Sequence, residues 1–477
     1  MSDVVSVHGA NISALTALLG PDMLLSDRAD LARYSRDAMG DHLGKPMAVL
    51  RPRSTADVQN IVKTCSRLGL GIVPMGGNTG LVSGATSVMP GHVIVSLERM
   101  TRLRDLNPAN LTATVEAGTV LERFKADLAE HGLDFAVSLG SQGSCEIGGI
   151  ISTNAGGTNV LRHGMARSSV LGLEVVLPSG EVFSNLGGLH KDNRGPNLSQ
   201  LFVGAEGIFG IVTAASLRLM PTAKQAETAF VAAADFEAAL SILQSVRAQA
   251  HEVLSGFEAM SRACLPLARL AHPGVMLPLG DKAPVHILIE FTSAAAFALR
   301  DLAEGILAGE LAEGRALDVV LAQNEAQRRA FWQVREGIVA GHARRGYHVR
   351  SDVSVRLEQT PDLVRQLEAM LARDFPDWTP QAYGHMGDGN LHFVALPPDA
   401  MEAKDARLIG RRIEASIYAV TETLGGSISA EHGIGRSKSA QFCKTTPEPH
   451  LHILRLLKQA LDPAGLMNPG CILPQET

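Results

Sequence analysis

The first part of the chain alternates short apolar runs with longer amphipathic segments. Residues 48–50 and 71–75 are apolar runs that predict buried strands. Between them, Ser54 and Asp57 have the spacing of a capping box that begins a helix. That helix carries apolar residues on one face at i, i+3, i+4 and i+7, namely Val58, Ile61, Val62 and Cys65. Strand, helix and strand in this order predict a mixed lobe of helices and sheet.

The same lobe continues with further strands and one more helix. Apolar segments predict strands at residues 92–97, 111–116, 171–178 and 211–219. Residues 121–131 predict a helix that ends at Gly132, because glycine readily adopts the left-handed conformation that closes many helices.

Near Pro221 the glycine-rich turns stop and a second domain is predicted. Strand patterns at residues 227–234, 253–258, 285–291 and 317–321 alternate with helical patterns, which predicts an antiparallel sheet covered by helices. Thr360 as N-cap and Pro361 at the first helical position predict a helix with one apolar stripe, formed by Leu363, Val364, Leu367, Met370 and Leu371. Two more helices are predicted, one marked by Ile409, Ile413, Ile417 and Val420, and one at residues 451–461.

Length and composition narrow the class of protein. A chain of 477 residues exceeds what one hydrophobic core usually serves, so two or more lobes are expected. The net charge of -6 comes from scattered acids and bases, which argues against a nucleic-acid partner. Five widely spaced cysteines without a CxxC motif predict reduced thiols. With neither a leader pattern nor an apolar run of about 18 residues, we expect a cytoplasmic protein without a transmembrane segment.

Glycine is concentrated in a few clusters of the first lobe, above all at residues 74–81 and 147–157. Without a Cβ atom, glycine lets backbone N–H groups approach a pyrophosphate, and successive amides in turns form a concavity that binds anions. No G-x-G-x-x-G motif lies between a strand and a helix with an acid about 20 residues on, so NAD is not the expected cofactor. The clusters predict a different phosphorylated cofactor.

A second group of residues carries acid–base and metal-binding chemistry. A lone histidine is most often structural, but His385 and His392 bracket a turn that allows both imidazoles to converge. Glu431 and His432 follow a Gly-Gly break, as residues on a short loop often do. Two imidazoles and a carboxylate with an open position suit Zn²⁺ or a similar divalent ion.

At these residues the chain resembles FAD-binding oxidoreductases of the vanillyl-alcohol oxidase and p-cresol methylhydroxylase (PCMH) type. It is most similar to their D-2-hydroxy-acid dehydrogenase branch, which includes D-lactate, glycolate and D-2-hydroxyglutarate dehydrogenases. Beyond the glycine clusters and the histidine motifs, the match rests on residues 139–145, 191–195, 203–213 and 467–470. The segments occur in family order from about residue 45 to the C-terminus.

The resemblance implies an α+β fold with a two-subdomain FAD-binding lobe and a cap domain whose antiparallel sheet is covered by helices. It implies an FAD lobe at 1–220, a cap or substrate domain at 221–455, and a segment at 456–477 that returns to the FAD lobe. Members with covalent flavin carry His where this chain has Asn78, so non-covalent FAD is expected. The residues that would line FAD are Pro74, Gly76, Gly77, Asn78, Thr79, Gly80, Leu81, Ser144, Gly148, Gly149, Asn154, Gly156, Gly207, Ile211, Val212 and Asn468.

For the active site, the resemblance implies oxidation of a D-2-hydroxy acid to the 2-oxo acid, with hydride transfer to flavin N5. It implies His385, His392 and Glu431 as metal ligands and His432 as the base. An imidazole with an ordinary pKa near ~6.5 suits proton abstraction close to neutrality.

Arginine is the natural clamp for the substrate carboxylate, because its fork binds two oxygens at once. Arg335 matches the substrate-binding arginine of the family, and a solvated helix-face charge is its alternative interpretation. Arg350 stands where 2-hydroxyglutarate enzymes often carry Lys, whereas Arg344 and Arg345 are expected at the surface.

Two departures from the family pattern affect the choice of substrate. Val339 stands where the 2-hydroxyglutarate enzymes carry Thr, and Val394 stands where they often carry Asn. These changes weaken the case for 2-hydroxyglutarate and leave D-lactate or a more apolar D-2-hydroxy acid open.

Two other functions and several partners also remain open at this stage. One alternative is a flavin-binding subunit of a glycolate oxidase-type complex, and another is a metal-dependent hydrolase built on the histidine cluster. The electron acceptor is left open among an electron-transfer flavoprotein, a quinone and a cytochrome. A homodimer is one option for the oligomeric state.

Overall fold

The computed structural model describes residues 2–40, 43–87 and 89–474, with side chains from residue 8 onward. The chain forms two compact units. The first comprises Met1–Gly156, Met165–Pro221 and Glu431–Thr477, and the second comprises Gly157–Gly164 and Thr222–Ala430. The sequence placed the change at 220/221 and the return at 456, whereas the units divide at 221/222 and the chain returns from Glu431 onward.

Helices and strands alternate along the described residues. The helices are α1 (Ser2–Leu19), α2 (Arg28–Leu31), α3 (Thr55–Leu68), α4 (Leu121–Ala129), α5 (Ile147–Ser152), α6 (Val160–His163), α7 (Ala166–Ser169), α8 (Phe236–Ala250), α9 (Leu265–Ala271), α10 (Leu299–Ala312), α11 (Glu325–Arg345), α12 (Thr360–Asp374), α13 (Ala403–Thr423), α14 (Ser439–Thr445) and α15 (Glu448–Leu461). The strands are β1 (Leu24–Leu25), β2 (Ala48–Leu50), β3 (Ile72–Met75), β4 (Val93–Ser96), β5 (Leu103–Asn107), β6 (Thr112–Glu116), β7 (Leu133–Asp134), β8 (Val170–Val176), β9 (Val182–Ser184), β10 (Ile211–Arg218), β11 (Met220–Pro221), β12 (Gln225–Ala233), β13 (Leu254–Ser261), β14 (Val285–Ser293), β15 (Asp318–Leu321), β16 (Val349–Ser354), β17 (Thr379–Gly384) and β18 (Asn390–Leu396).

The first unit contains two main sheets. One has the order β1-β2-β4-β3, in which β2, β4 and β3 run parallel, and the other is an antiparallel sheet with the order β5-β6-β10-β8-β9. Between β2 and β3 lies α3, whose predicted apolar face is buried. Ser54 caps α3 by accepting from the N–H of Asp57 at 3.2 Å, but the Asp57 carboxylate accepts from Arg53 rather than completing a capping box with Ser54.

The C-terminal return segment is joined to β3 by backbone hydrogen bonds. Ile72 N donates to Leu466 O at 2.7 Å, and Asn468 N donates to Ile72 O at 2.7 Å. Lys458 in α15 donates to the carbonyl oxygens of Ile208 and Met467. The segment around Met467 is therefore part of the first unit's core.

The second unit is built on one antiparallel sheet with the order β15-β12-β14-β13-β17-β18-β16. Alternate residues of β12 face opposite sides, so that Ala229 and Val231 belong to the same core cluster as residues of α8, α10, α12 and α13, whereas Phe230 belongs to a cluster with residues of α9 and α11. Helices therefore cover both faces, which confirms the predicted helix-covered antiparallel sheet.

Thr360 begins α12 from inside the helix and is not its N-cap, which corrects the prediction. The turn Leu357–Gln359 runs directly into α12, Gln359 takes the cap position, and Thr360 Oγ1 donates to Leu357 O at 2.8 Å. Within the described part of the chain, no helix is both long and apolar enough to span a bilayer.

Candidate functional site

The glycine clusters of the first unit lie close together around the end of β3. A methyl group added to Gly77 would lie 1.8 Å from the carbonyl oxygen of Ser144, so only glycine fits at that position. Gly207 has φ of +77°, and an added methyl group would lie 3.0 Å from Pro74 Cγ. The loop after β3, the turn before α5 and the loop before β10 therefore form one backbone-lined cradle.

The predicted cofactor residues all belong to this unit. They are Pro74 in β3, then Gly76, Gly77, Asn78, Thr79, Gly80 and Leu81 in the following loop, Ser144, Gly148 and Gly149 around the start of α5, Asn154 and Gly156 after α5, Gly207 before β10, Ile211 and Val212 in β10, and Asn468 in the return segment. Asn468 Nδ2 donates to the carbonyl oxygens of Glu206 and Gly84 at 2.6 and 3.0 Å, which fixes the return segment beside the cradle.

Glu146 supports the interpretation of this cradle as a ligand site. Its side chain is buried, and Oε2 has no hydrogen-bond partner among the described residues. A methyl group added to Gly76 would lie 3.5 Å from this oxygen and 3.5 Å from Gly149 N. Buried polar atoms are nearly always hydrogen-bonded, so an orphan beside closely approaching backbone indicates a ligand that completes the site. A flavin nucleotide, with its many polar atoms, fits these residues.

A buried carboxylate organises the second unit's candidate site. Glu258, in β13, accepts a hydrogen bond from Arg335 Nε through Oε2 at 2.7 Å, and its Oε1 lies 2.5 Å from His385 Nδ1. Arg335 comes from α11 and His385 from the turn after β17. One carboxylate therefore joins the predicted substrate arginine to a predicted metal ligand.

The electrostatics of this trio favour an ionised Glu258. Burial raises the pKa of a carboxyl group, but the interactions of Glu258 with His385 and Arg335 outweigh burial and lower its pKa to about 2. Because a carboxylate only accepts hydrogen bonds, His385 donates from Nδ1, and in the neutral imidazole Nε2 keeps the lone pair that a metal ion binds.

The aromatic ring of Tyr383 lies next to both Arg335 and His392. The Arg335 guanidinium carbon lies 4.9 Å from the ring centroid of Tyr383, and the His392 ring lies 5.2 Å from the same ring. The rings of His385 and His392 meet edge to face, with centroids 5.5 Å apart. Arg335 is only 6% exposed, which rules out the interpretation as a solvated helix-face charge. The turn therefore brings both histidines together, as the sequence predicted.

Asp352 in β16 supports the other side of the same site. It is fully buried and pairs in register with His392, whose Nδ1 lies 3.7 Å from Asp352 Oδ1. Asp352 Oδ1 accepts from Asn390 Nδ2 at 2.9 Å, and Oδ2 accepts from Ala430 N at 3.1 Å. The residue directly before Glu431 is thus held by the carboxylate next to His392.

The other residues singled out by the sequence lie in β16, β18, α11 and the return segment. Arg350 lies in β16 opposite Val394 of β18, and Val394 is buried. Val339 is exposed on α11. Arg344 and Arg345 are exposed, as expected for surface charges. Glu431 and His432 begin the return segment that belongs to the first unit.

Sequence reasoning missed Glu258, Tyr383 and Asp352. Each lies in a strand, and the site residues that they contact come from other elements, so no local motif marks them. The signal in the sequence was Glu258, a charged residue within the strand predicted at residues 253–258, because a buried charge is unusual unless it is paired.

The comparisons with known proteins agree with this architecture. Residues 222–472 match the family of FAD linked oxidases, C-terminal domain, and residues 46–184 match an FAD binding domain. The chain is 36% identical over 454 residues to D-2-hydroxyglutarate dehydrogenase, mitochondrial, of Bos taurus, covering 95% of this chain and 82% of that protein. It is 35% identical over 457 residues to a putative mitochondrial D-lactate dehydrogenase of Schizosaccharomyces pombe, covering 93% and 85%.

A solved structure shows the same fold. Substrate-bound p-cresol methylhydroxylase superposes with a TM-score of 0.79 at 17% sequence identity, covering 99% of this chain and 98% of that chain. Together, the glycine cradle, the helix-covered sheet and the domain matches define an FAD-dependent oxidoreductase. The chain belongs to the family of FAD-linked oxidases. The predicted PCMH-type fold and FAD cofactor are confirmed, and the hydrolase alternative is set aside.

Proposed function

We propose that this protein oxidises a D-2-hydroxy acid to the corresponding 2-oxo acid, with non-covalent FAD as the primary electron acceptor. The names of the relatives from Bos taurus and Schizosaccharomyces pombe both refer to D-2-hydroxy acids. The observation that carries the proposal is the buried Glu258, which holds Arg335 and His385 at once. A guanidinium can bind the carboxylate of an α-hydroxy acid, and an imidazole can bind a metal ion that contacts its hydroxyl.

Arg335 is the proposed carboxylate clamp. Glu258 occupies its Nε, and the Tyr383 ring limits the movement of the guanidinium plane. The two terminal nitrogens form the pair of donors that binds both oxygens of a carboxylate in parallel. Arg350, in the neighbouring strand β16, is the proposed contact for the remainder of the substrate.

The proposed metal ligands are His385, His392 and Glu431. His385 is oriented by Glu258, and carboxylates in this outer position commonly fix the tautomer of a metal-binding histidine. Glu431 directly follows Ala430, whose N–H is held by Asp352 beside His392. A bound Zn²⁺ or similar ion would polarise the substrate hydroxyl and lower its pKa.

His432 is the proposed general base that takes the hydroxyl proton. Imidazole accepts protons near neutral pH, and its place next to Glu431 in the chain puts it beside a proposed metal ligand. FAD supplies the acceptor for the hydride that leaves C2. In this proposal, Arg335 orients the substrate by binding its carboxylate, and His432 removes the proton of its hydroxyl.

The residues near Arg350 bear on which D-2-hydroxy acid is the substrate. Val394 is buried opposite Arg350 and offers no hydrogen bond, so this cross-strand pair offers a second carboxylate one polar partner, Arg350, instead of two. We propose D-lactate or a more apolar D-2-hydroxy acid in preference to D-2-hydroxyglutarate. Anaerobic bleaching of the flavin by a panel of D- and L-2-hydroxy acids tests this order directly.

Stopped-flow reduction of the flavin separates the two proposed roles. His432→Ala should slow reduction by about 10²–10⁴ with little change in substrate affinity, the scale of a lost general base. Arg335→Lys should mainly weaken binding, because a point charge replaces a two-pronged clamp. His452→Ala and Arg344→Lys, which alter exposed residues, serve as matched controls. A wild-type reduction rate in His432→Ala would overturn the base assignment.

The metal needs a separate test. Elemental analysis should find about one divalent ion per chain in the wild type. His392→Ala should lose the ion and activity yet retain FAD, because the cofactor residues belong to the first unit. Full activity after verified metal removal would contradict the metal proposal and leave FAD-dependent oxidation intact.

A further inference from the structure

Glu146 is a buried acid that the proposed reaction does not use. It immediately precedes α5, between Cys145 and Ile147, and is 6% exposed. Its Oε2 is buried without a hydrogen-bond partner among the described residues. An isolated ionised carboxylate in such a place is costly, so the group is either neutral or completed by a ligand.

A second buried orphan lies on the neighbouring segment. Thr119 is 1% exposed, and its Oγ1 also has no partner within the described part of the chain. The carbonyl oxygen of Thr119 accepts a hydrogen bond from Ile147 N at 3.0 Å, and Val120 forms a β-bridge with Glu146. Glu146 and Thr119 thus each carry a buried oxygen without a hydrogen-bond partner among the described residues, on neighbouring segments next to the cradle that Gly76 and Gly149 form.

The charges around Glu146 oppose its ionisation. Burial, followed by the charge of Glu98, raises the pKa of Glu146 to about 8. Glu98 is itself paired with Arg33 and Arg51 at 3.0 and 3.3 Å, whereas no cation among the described residues forms an ion pair with Glu146. Cys145 is also kept neutral, since burial raises the pKa of its thiol.

We propose that Glu146 is protonated when FAD is bound and donates a hydrogen bond to an acceptor atom of the cofactor. FAD carries a pyrophosphate, so a carboxylate in the same cradle would be repelled, whereas a neutral carboxylic acid supplies a donor. Binding of FAD above neutral pH is then coupled to the uptake of one proton by Glu146. The carboxylate takes this proton from solvent and forms an O–H bond, and no electron is transferred.

The experiment measures FAD affinity of the apoprotein by quenching of flavin fluorescence, from about pH 6.5 to about pH 9.5. The wild type should bind FAD progressively more weakly above about pH 8, approaching a tenfold loss per pH unit for one linked proton. Glu146→Gln, which is always neutral and keeps a donor, should bind with little change over this range. Glu122→Gln, at an exposed acid of α4, should follow the wild type.

A third variant tests the hydrogen bond itself. Glu146→Leu is neutral but has no donor, and it should bind FAD about tenfold more weakly than Glu146→Gln at every pH. Equal affinity of these two variants, a flat wild-type profile, or an unchanged pH slope in Glu146→Gln would each overturn the proposal. The measurement uses neither substrate nor metal, so its failure leaves the proposed oxidation of D-2-hydroxy acids untouched.

Discussion

Glu258 and His385 are in direct contact in the second unit's candidate site, with Oε1 and Nδ1 2.5 Å apart. The two residues are separated by more than a hundred positions in sequence, and Glu258 also holds Arg335. The orientation of the proposed metal ligand and the orientation of the proposed substrate clamp therefore depend on the same carboxylate.

Replacing that carboxylate should impair both functions at once. Glu258→Gln keeps the shape of the side chain but loses its charge. Its amide oxygen can accept from Arg335 or from His385, but its NH₂ group would then face the N–H donor of the other residue. Metal affinity should fall about 10–100-fold, the usual effect of removing an outer partner of a metal ligand, and substrate KM should rise. Titration with Zn²⁺ and steady-state kinetics measure the two effects. Glu227→Gln, in a surface pair with Arg300, is the control and should change neither.

The steric limit at Gly77 gives a prediction for the cofactor. In Gly77→Ala the new methyl group would collide with the Ser144 carbonyl, so the backbone of the cradle must move. We expect FAD affinity to fall at least about tenfold and stability to fall by about 1–3 kcal/mol. Gly140→Ala is the matched control, since no atom lies within 4 Å of its added methyl group. Flavin content and thermal unfolding provide the measurements, and full FAD retention by Gly77→Ala would contradict the cradle.

The buried His342 should make the stability of the second unit depend on pH. Burial lowers the pKa of His342 to about 4, although its hydrogen bond with Gln381 opposes this shift. Below its ordinary value of 6.5 the unfolded chain binds a proton that the folded protein does not, so stability falls as pH drops from about 6.5 toward 4.

His342→Asn should therefore flatten that part of the stability profile, by up to about 3 kcal/mol at the acid end. Urea unfolding at a series of pH values measures the effect, and His131→Asn at an exposed position is the control. An acid limb in His342→Asn that matches the wild type would exclude this residue as its source.

The mode of FAD attachment can be tested without a variant. Asn78 lies in the glycine loop, and its Nδ2 donates to Arg36 O at 2.7 Å, so its amide already has a structural role. An amide is a poor nucleophile compared with imidazole, and no covalent link to this residue is expected. Acid precipitation should release the yellow colour into the supernatant, whereas colour that remains in the pellet would show covalent flavin.

The parts of this protein that the sequence predicted well are those with a local signature. The apolar face around Val58 and the glycine cluster around Gly77 both have periodicity or composition that depends on neighbours in the chain. By contrast, α5 was missed because Gly148 and Gly149 disfavour an isolated helix, and it forms in a buried setting where Ile147, Ile150 and Ile151 pack into the core. The strand β5 was missed because it is a largely polar edge strand.

The candidate site also contains residues that a local sequence pattern predicts and residues that no local pattern predicts. His385 and His392 were predicted because seven positions and a tight turn separate them, whereas Glu258 could not be recognised before the sheet brought β13 beside β17. Pairing between distant strands is a property of the whole fold and leaves no trace in a short motif.

The hydrogen bonds of Ile72 with Leu466 and Asn468 have a consequence for biosynthesis. A ribosome makes β3 before the second unit, but Leu466 and Asn468, which complete the edge of β3, are made only after it. The second unit, whose main segment ends at Ala430, is available in full before then. Domains tend to fold as units while the chain is being made, so the second unit can fold first and the first unit is completed only after residues 466–468 have been made.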